Sequence, residues 1–110
     1  MLDWRNKGGL FVIYFLRSAT IASGKLGPAM SFARDVAEYI KTKTGKSVTI
    51  GMPIGGQVSR IGWFVEYENL AELDKFQTSL LQDPEYQAMT SKGGENFIAG
   101  SLHDDIWRTL

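Results

Sequence analysis

The residues most suited to chemistry lie at the end of the chain, in the segment SLHDDIWRTL from Ser101 to Leu110. It contains the single histidine, His103, and the carboxylate of Asp105 two positions later. Alternate side chains of an extended strand share a face, so His103, Asp105 and Trp107 are expected to lie together as a candidate ligand-binding site. A histidine beside a carboxylate can act as a general base near neutral pH, which makes His103 a candidate catalytic residue. The structural alternative is that His103 and Asp105 hydrogen-bond across an edge strand or to a partner.

Four further residues are candidates for holding a ligand. Tyr14 lies in the middle of an apolar strand, where a buried hydroxyl needs a hydrogen-bond partner, and it is the second candidate catalytic residue. Arg60 and Phe64 are expected on the same face of one strand, where Arg60 could hold a carboxylate through two parallel hydrogen bonds. The alternative is that Arg60 is simply solvated near a hairpin. Trp63, next to Phe64, could line an aromatic pocket.

The composition bounds the protein and excludes several classes of function. With 110 residues, we expect one domain over residues 1–110, of which residues 1–8 are an N-terminal lead-in. Twelve basic residues balance twelve acidic ones, so no overall field attracts nucleic acid. The absence of cysteine fits a reducing, cytoplasmic compartment, and one histidine does not suggest a metal site. The longest apolar run, Leu10 to Leu16, is too short to span a membrane.

The pattern along the chain predicts four strands and two helical regions. Leu10 to Arg17 is rich in β-branched and aromatic residues, and Ser47 to Ile54 alternates between apolar and small or polar residues, so both are predicted strands. Gly55-Gly56 predicts a hairpin leading into a strand from Gln57 to Tyr67. Apolar residues at helical spacing follow Pro28 and end before Gly45.

The second helical region begins at a capping signal and restarts at another. Asn69, with Glu72 three residues later, resembles a capping box, and Asp83-Pro84 predicts a new first turn. The closing strand follows Gly100. The resulting order β-α-β-β-α-β predicts an α+β, ferredoxin-like fold with a four-stranded antiparallel sheet and helices on one face. The first and third strands are expected in the centre.

The central strands carry apolar side chains of both alternations, so the sheet face without helices is also expected to be apolar. An exposed apolar face of this kind marks an association surface. We therefore expect a homodimer in which two sheets face each other. The alternative is a monomer in which the N-terminal segment, with Trp4, folds over that face.

Two stretches, GKLGPAMSFARDVAEYI and WFVEYENLAELDKFQTSLLQDPEYQAM, resemble the dimeric α+β barrel superfamily, in particular its NIPSNAP-like and antibiotic-biosynthesis-monooxygenase-like members. The resemblance implies a homodimer whose two sheets close a barrel. The superfamily includes cofactor-free oxygenases, isomerases, haem-degrading enzymes and many proteins of unknown function. In the haem-degrading branch a histidine late in the second helical region ligates the iron, and an earlier tryptophan presses on the macrocycle. The corresponding places here, near Met89–Thr90 and Ser79–Leu80, have neither residue type, so no cofactor is expected.

These observations favour a homodimer that binds a small, mainly hydrophobic molecule, such as a fatty-acyl chain with a polar head, in a cavity on the sheet face. One alternative is a cofactor-independent monooxygenase or isomerase acting on an aromatic or polyketide-like substrate through Tyr14, Arg60, Trp63 and His103. A second alternative is a structural or partner-binding dimer without a ligand.

Overall fold

The computed structural model describes residues 11–110, and the predicted lead-in with Trp4 lies outside them. Within that range the strands are β1 (Ile13–Thr20), β2 (Thr49–Gly51), β3 (Arg60–Tyr67) and β4 (His103–Arg108). The helices are α1 (Leu26–Thr44), α2 (Leu70–Leu81) and α3 (Pro84–Gly93), followed by a 3-10 turn over Gly94–Asn96. No helix in the described range has both the length and the apolarity needed to cross a membrane.

The described strands form one antiparallel sheet in the order β2-β3-β1-β4. The predicted α+β, ferredoxin-like fold is therefore confirmed, with β1 and β3 in the centre and β2 and β4 at the edges. The helices pack on one face of this sheet, and the main core lies between them. The other face is called here the open sheet face.

Helix α1 packs on the sheet through one stripe of small and branched residues. Its buried residues are Ala29, Ala33, Val36 and Ile40, which recur every three or four positions and so share one side. The helix ends at Gly45, whose positive φ of 77° is easily adopted by glycine, and whose N–H bonds the carbonyl of Lys41. The predicted stop signal is confirmed.

Helices α2 and α3 begin at the two predicted caps. The Asn69 side chain accepts a hydrogen bond from the Glu72 N–H at 2.8 Å. The Glu72 carboxylate accepts from the N–H of Glu68 at 3.0 Å, one residue before the cap, so the capping box is shifted by one position. The Asp83 carboxylate accepts from the N–H groups of Glu85 and Tyr86, which starts α3 at Pro84.

The second strand is much shorter than predicted. The alternation over Ser47–Ile54 predicts a full strand and a tight turn at Gly55-Gly56, but only Thr49–Gly51 pairs with the sheet. Pro53 has no N–H to donate to a ladder, which favours an early end of pairing. A loop over residues 52–59 follows, and it ends at Ser59 with a positive φ of 63°. Consequently β3 also begins later than predicted.

Strand register assigns side chains to the two faces. In β1, Tyr14, Leu16 and Ser18 lie opposite Trp107, Asp105 and His103 of β4, respectively. The same β1 residues lie opposite Glu66, Phe64 and Gly62 of β3, respectively. Because alternation runs through all three strands, these residues share the open sheet face.

Candidate functional site

A cleft of about 400 Å³ lies on the open sheet face. We call it the sheet-face cleft, and its lining includes Leu16, Ser18, Arg60, Phe64, His103 and Asp105. It therefore brings together four of the residues expected from the sequence to hold a ligand. Tyr14 and Trp107 lie on the same face as a cross-strand pair, nearer the other end of the sheet.

The histidine and its carboxylate lie next to each other, as the strand alternation predicts. His103 Nε2 is 3.3 Å from Asp105 Oδ1. The two side chains are 61% and 42% exposed, so solvent screens their interaction. The arrangement orients the imidazole ring, and it leaves His103 facing open solvent in the single chain.

Arg60 is held across the central strands. Its Nη2 donates to the Ser18 hydroxyl, and its Nη1 donates to Gln57 Oε1 at 3.3 Å. Its Nε is buried and has no acceptor among the described residues. The Nε edge of the guanidinium is therefore an unused donor.

Phe64 covers two opposed glycines beside this cleft. A Cβ on Gly51 would lie 3.0 Å from Phe64 Cε2, and one on Gly62 would lie 3.2 Å from the same atom. A Cβ on Gly62 would also lie 2.9 Å from Leu16 Cδ1. The glycines thus give space to the side chains of Phe64 and Leu16.

The structure does not bring Trp63 to this group. Trp63 lies on the helix side and is 9% exposed, with its Nε1 3.4 Å from the carbonyl of Ala33. Its ring contacts Phe32 and Phe97 at centroid distances of 6.3 and 6.0 Å. The sheet separates Trp63 from Tyr14, Arg60 and His103, so the expected four-residue catalytic group does not form one site within the described chain.

A second cavity, of about 410 Å³, lies between the sheet and the helices. We call it the helix-side cavity, and its apolar lining includes Phe15, Phe32, Val36, Trp63, Phe76 and Phe97. Its polar lining includes Arg17, Tyr67, Gln77, Tyr86, Gln87 and Thr90. A largely apolar cavity of this size with a few polar groups is the usual form of a small-molecule site.

Arg17 provides a fixed positive charge at this cavity. Its Nε and Nη2 donate to the two carboxylate oxygens of Asp104 at 2.7 and 2.8 Å. This pairing raises the pKa of Arg17, and the guanidinium also lies 5.4 Å from the centroid of the Phe15 ring. The cation is therefore held in one orientation by a bidentate pair.

Two tyrosines accompany Arg17. Tyr67 is 1% exposed, and its hydroxyl has no hydrogen-bond partner among residues 11–110. Burial raises the pKa of both Tyr67 and Tyr86, while the Arg17 charge opposes part of each rise. Both hydroxyls stay neutral donors. An unsatisfied buried hydroxyl costs about 1–3 kcal/mol, so a ligand that pairs with it gains affinity.

Sequence reasoning did not single out Arg17, Tyr67 or Tyr86. The strand pattern does indicate two of them. Arg17 is two residues from Phe15 on β1 and Tyr67 is four residues from Trp63 on β3, so the members of each pair lie on the same face. The pattern does not indicate which face carries the helices, because the side chains on both faces of the central strands are mostly apolar. Tyr86 is brought to the cavity by α3 packing, which no local pattern encodes.

The described residues contain no cluster of three or more histidine, cysteine or acidic side chains arranged to hold a metal ion.

Comparisons with known proteins give likeness of fold. No family model and no curated protein matches the chain. A NIPSNAP family protein from Agrobacterium tumefaciens superposes with a TM-score of 0.75 at 17% identity, over 90% of this chain and 86% of that one. A second protein of that family and organism, described as of unknown function, gives a TM-score of 0.74 at 16% identity, over 90% and 88%.

A structure from Caulobacter crescentus, described as an antibiotic biosynthesis monooxygenase assigned without direct proof, gives a TM-score of 0.68 at 12% identity, over 92% of both chains. The expected resemblance to NIPSNAP-like and monooxygenase-like proteins is thus confirmed as a shared fold. At these identities the likeness concerns the fold alone.

Proposed function

We propose that this protein is a homodimer that binds a small, mainly hydrophobic molecule with an anionic head in the helix-side cavity. The observation that carries the proposal is the combination, in one apolar cavity of about 410 Å³, of the fixed guanidinium of Arg17 with the Tyr67 hydroxyl, which has no partner among the described residues. The absence of cysteine supports a cytoplasmic site of action.

The lining determines the class of ligand. Aromatic and aliphatic side chains form most of the wall, so burial of an apolar chain gives most of the binding free energy, at roughly 25 cal/mol per Å². Arg17 and Tyr67 offer donors to a carboxylate or a similar acceptor. A medium-chain fatty acid has both an apolar chain and a carboxylate. The proposed ligand is therefore of the class expected from the sequence, but its proposed site is on the opposite face of the sheet.

Dimerisation through the open sheet face is supported by apolar side chains exposed there and on the adjoining loop. Phe64 and Trp107 on the face are 44% and 68% exposed. Ile54 and Val58, on the loop that joins β2 to β3, are 103% and 57% exposed. A second copy of the same face, related by two-fold symmetry, is the simplest cover for such a surface.

The binding part of the proposal is tested by calorimetric titration with decanoate. Ala19 is 4% exposed and lines the helix-side cavity, so Ala19→Leu places added volume there and is expected to weaken decanoate binding at least tenfold. The matched control Ala71→Leu adds the same atoms on the exposed side of α2 and is expected to leave binding unchanged. Arg17→Gln is expected to weaken decanoate more than decanol, since only the former has a charged head.

Two results contradict the proposal. Wild-type protein that takes up no decanoate below its solubility limit lacks the acyl site. Equal decanoate affinity in the wild type and the Ala19→Leu variant, with both folded by circular dichroism, would place the ligand outside the helix-side cavity.

A further inference from the structure

The sheet-face cleft contains polar groups that neither the apolar dimer contact nor the helix-side ligand requires. Ser18, Arg60, His103 and Asp105 all line it, and the sheet separates them from the helix-side cavity. Ser18 lies opposite His103 in the β1–β4 ladder and opposite Gly62 in the β1–β3 ladder. A serine 6% exposed is thus placed between a guanidinium and an imidazole.

The cleft has one strong donor that lacks an acceptor. Arg60 is fixed at both terminal nitrogens, by the Ser18 hydroxyl and by Gln57 Oε1, while its buried Nε has no partner among the described residues. Nη2 has two hydrogens and donates one of them to Ser18, so a carboxylate can accept from Nε and from the second Nη2 hydrogen. The Ser18 hydroxyl, which accepts from Arg60, can donate its own proton to the same anion.

The charges of this face favour a planar monoanion over a phosphate. The charged or titratable residues described on this face are Tyr14, Arg60, Glu66, His103 and Asp105. Glu66 lies at the far end of β3, opposite Tyr14. Asp105, within the cleft, repels a doubly charged anion, and the described residues that line the cleft include no second arginine and no lysine. One flat guanidinium fork suits one carboxylate.

We propose that the sheet-face cleft is a second binding site, for a small organic acid whose carboxylate bonds the Nε edge of Arg60. Ser18 and His103 flank the anion, and Leu16 and Phe64 contact the apolar part of the acid. The site is independent of the helix-side cavity and does not require that cavity to bind anything. If the open sheet face is the dimer contact, the acid lies at the seam between the two copies.

The test uses benzoate as the probe, with benzamide as its neutral counterpart of the same shape. Titration followed by nuclear magnetic resonance is expected to shift the backbone signals of Ser18, Gly62 and His103 with benzoate and not with benzamide. Arg60→Gln is expected to weaken benzoate at least tenfold. Arg60→Lys, which keeps the charge without the fork, is expected to weaken it less. The matched control Arg34→Gln, on the exposed side of α1, is expected to leave binding unchanged.

Each opposite result overturns the proposal. Wild-type protein that does not bind benzoate, or that binds benzamide equally well, has no carboxylate site in this cleft. Benzoate affinity that Arg60→Gln leaves intact excludes Arg60 as the anion-binding residue. If benzoate does not bind and sedimentation shows that Arg60→Gln dissociates a dimer, the missing acceptor belongs to a second copy of the chain.

Discussion

At the scale of single residues, the helix-side cavity depends on a few polar atoms placed among aromatic rings. Arg17 is fixed by Asp104 and supplies an oriented charge, whereas the buried hydroxyl of Tyr67 has no hydrogen-bond partner among the described residues. Both groups line the cavity, but only Arg17 already has a side-chain hydrogen-bond partner within the described fold.

Replacing Tyr67 by phenylalanine tests that distinction. Because the hydroxyl is buried without a partner in the described part of the chain, Tyr67→Phe is expected to raise the free energy of unfolding of the ligand-free protein by about 1 kcal/mol. The same variant is expected to bind decanoate more weakly. Urea denaturation gives the first quantity and calorimetry the second. A variant destabilised by more than about 1 kcal/mol would show that the hydroxyl is already bonded in the folded protein.

The two glycines at the end of α3 have different roles. A Cβ on Gly93 would lie 2.1 Å from Cε1 of Phe32, whereas one on Gly94 meets nothing within 4 Å. The backbone of Gly93 is helical, so this glycine serves packing and not chain reversal. Two consecutive glycines weaken a helix, but the sequence cannot show that the ring of Phe32 occupies the space beside Gly93.

Gly93→Ala is accordingly expected to lower the free energy of unfolding by about 1–3 kcal/mol, because Phe32 must move. Since Phe32 lines the helix-side cavity, decanoate affinity is expected to fall as well. Gly94→Ala is the matched control and is expected to leave both quantities nearly unchanged. Equal stability of the two variants in urea titrations would contradict the packing role.

At the scale of elements, the sequence predicts the order, the central strands and the helix caps, because these depend on local patterns. Asn69 and Asp83 both act as caps where the sequence places them. The sequence does not predict the length of a strand where pairing with the rest of the sheet determines it. The alternation over 47–54 is present, yet the strand ends at Gly51. The sequence also does not determine on which face of the sheet Trp63 lies, because β3 has apolar residues on both faces.

The helix starts also predict an acid-sensitive stability. The hydrogen bond from Lys46 lowers the pKa of Glu72, and the hydrogen bond from Tyr39 lowers the pKa of Asp83. A carboxyl with a lowered pKa in the folded state stabilises the fold above its unfolded pKa, and that contribution is lost as the pH falls through the folded pKa. Stability is therefore expected to decline below about pH 4.

Urea denaturation from pH 6 to pH 3 measures this decline. Asp83→Asn keeps a capping oxygen and removes the titrating group, and Glu72→Gln does the same at α2, so each is expected to make the acid slope shallower. An unchanged slope in both variants would contradict the assignment of these two carboxyls.

At the scale of the whole molecule, the proposed dimer depends on the open sheet face and on the loop over 52–59. The central strands have apolar residues on both faces, which predicts an apolar surface on the open sheet face. Phe64 and Trp107 are exposed on that face. The sequence predicts a ligand cavity on the open sheet face, whereas the more apolar of the two cavities lies on the helix face. A cavity arises from the packing of α2 and α3 on the sheet, which a sequence pattern does not contain.

A charge at the centre of the open sheet face is expected to prevent association. Phe64→Glu places equal charges near the two-fold axis of the proposed dimer, so sedimentation equilibrium is expected to report the 12.3 kDa chain mass instead of twice that value. The control Leu26→Glu changes a residue that is 50% exposed at the start of α1 and is expected to leave the dimer intact. Wild-type protein that sediments as a monomer would contradict the assembly.

The central claim is that an acyl molecule occupies the helix-side cavity, and a crystal structure with decanoate bound tests it most directly. We predict electron density for the alkyl chain among Phe32, Trp63 and Phe97, with the carboxylate within hydrogen-bond distance of Arg17 or Tyr67. Density for decanoate only in the sheet-face cleft, or a helix-side cavity closed by side chains, would contradict the account.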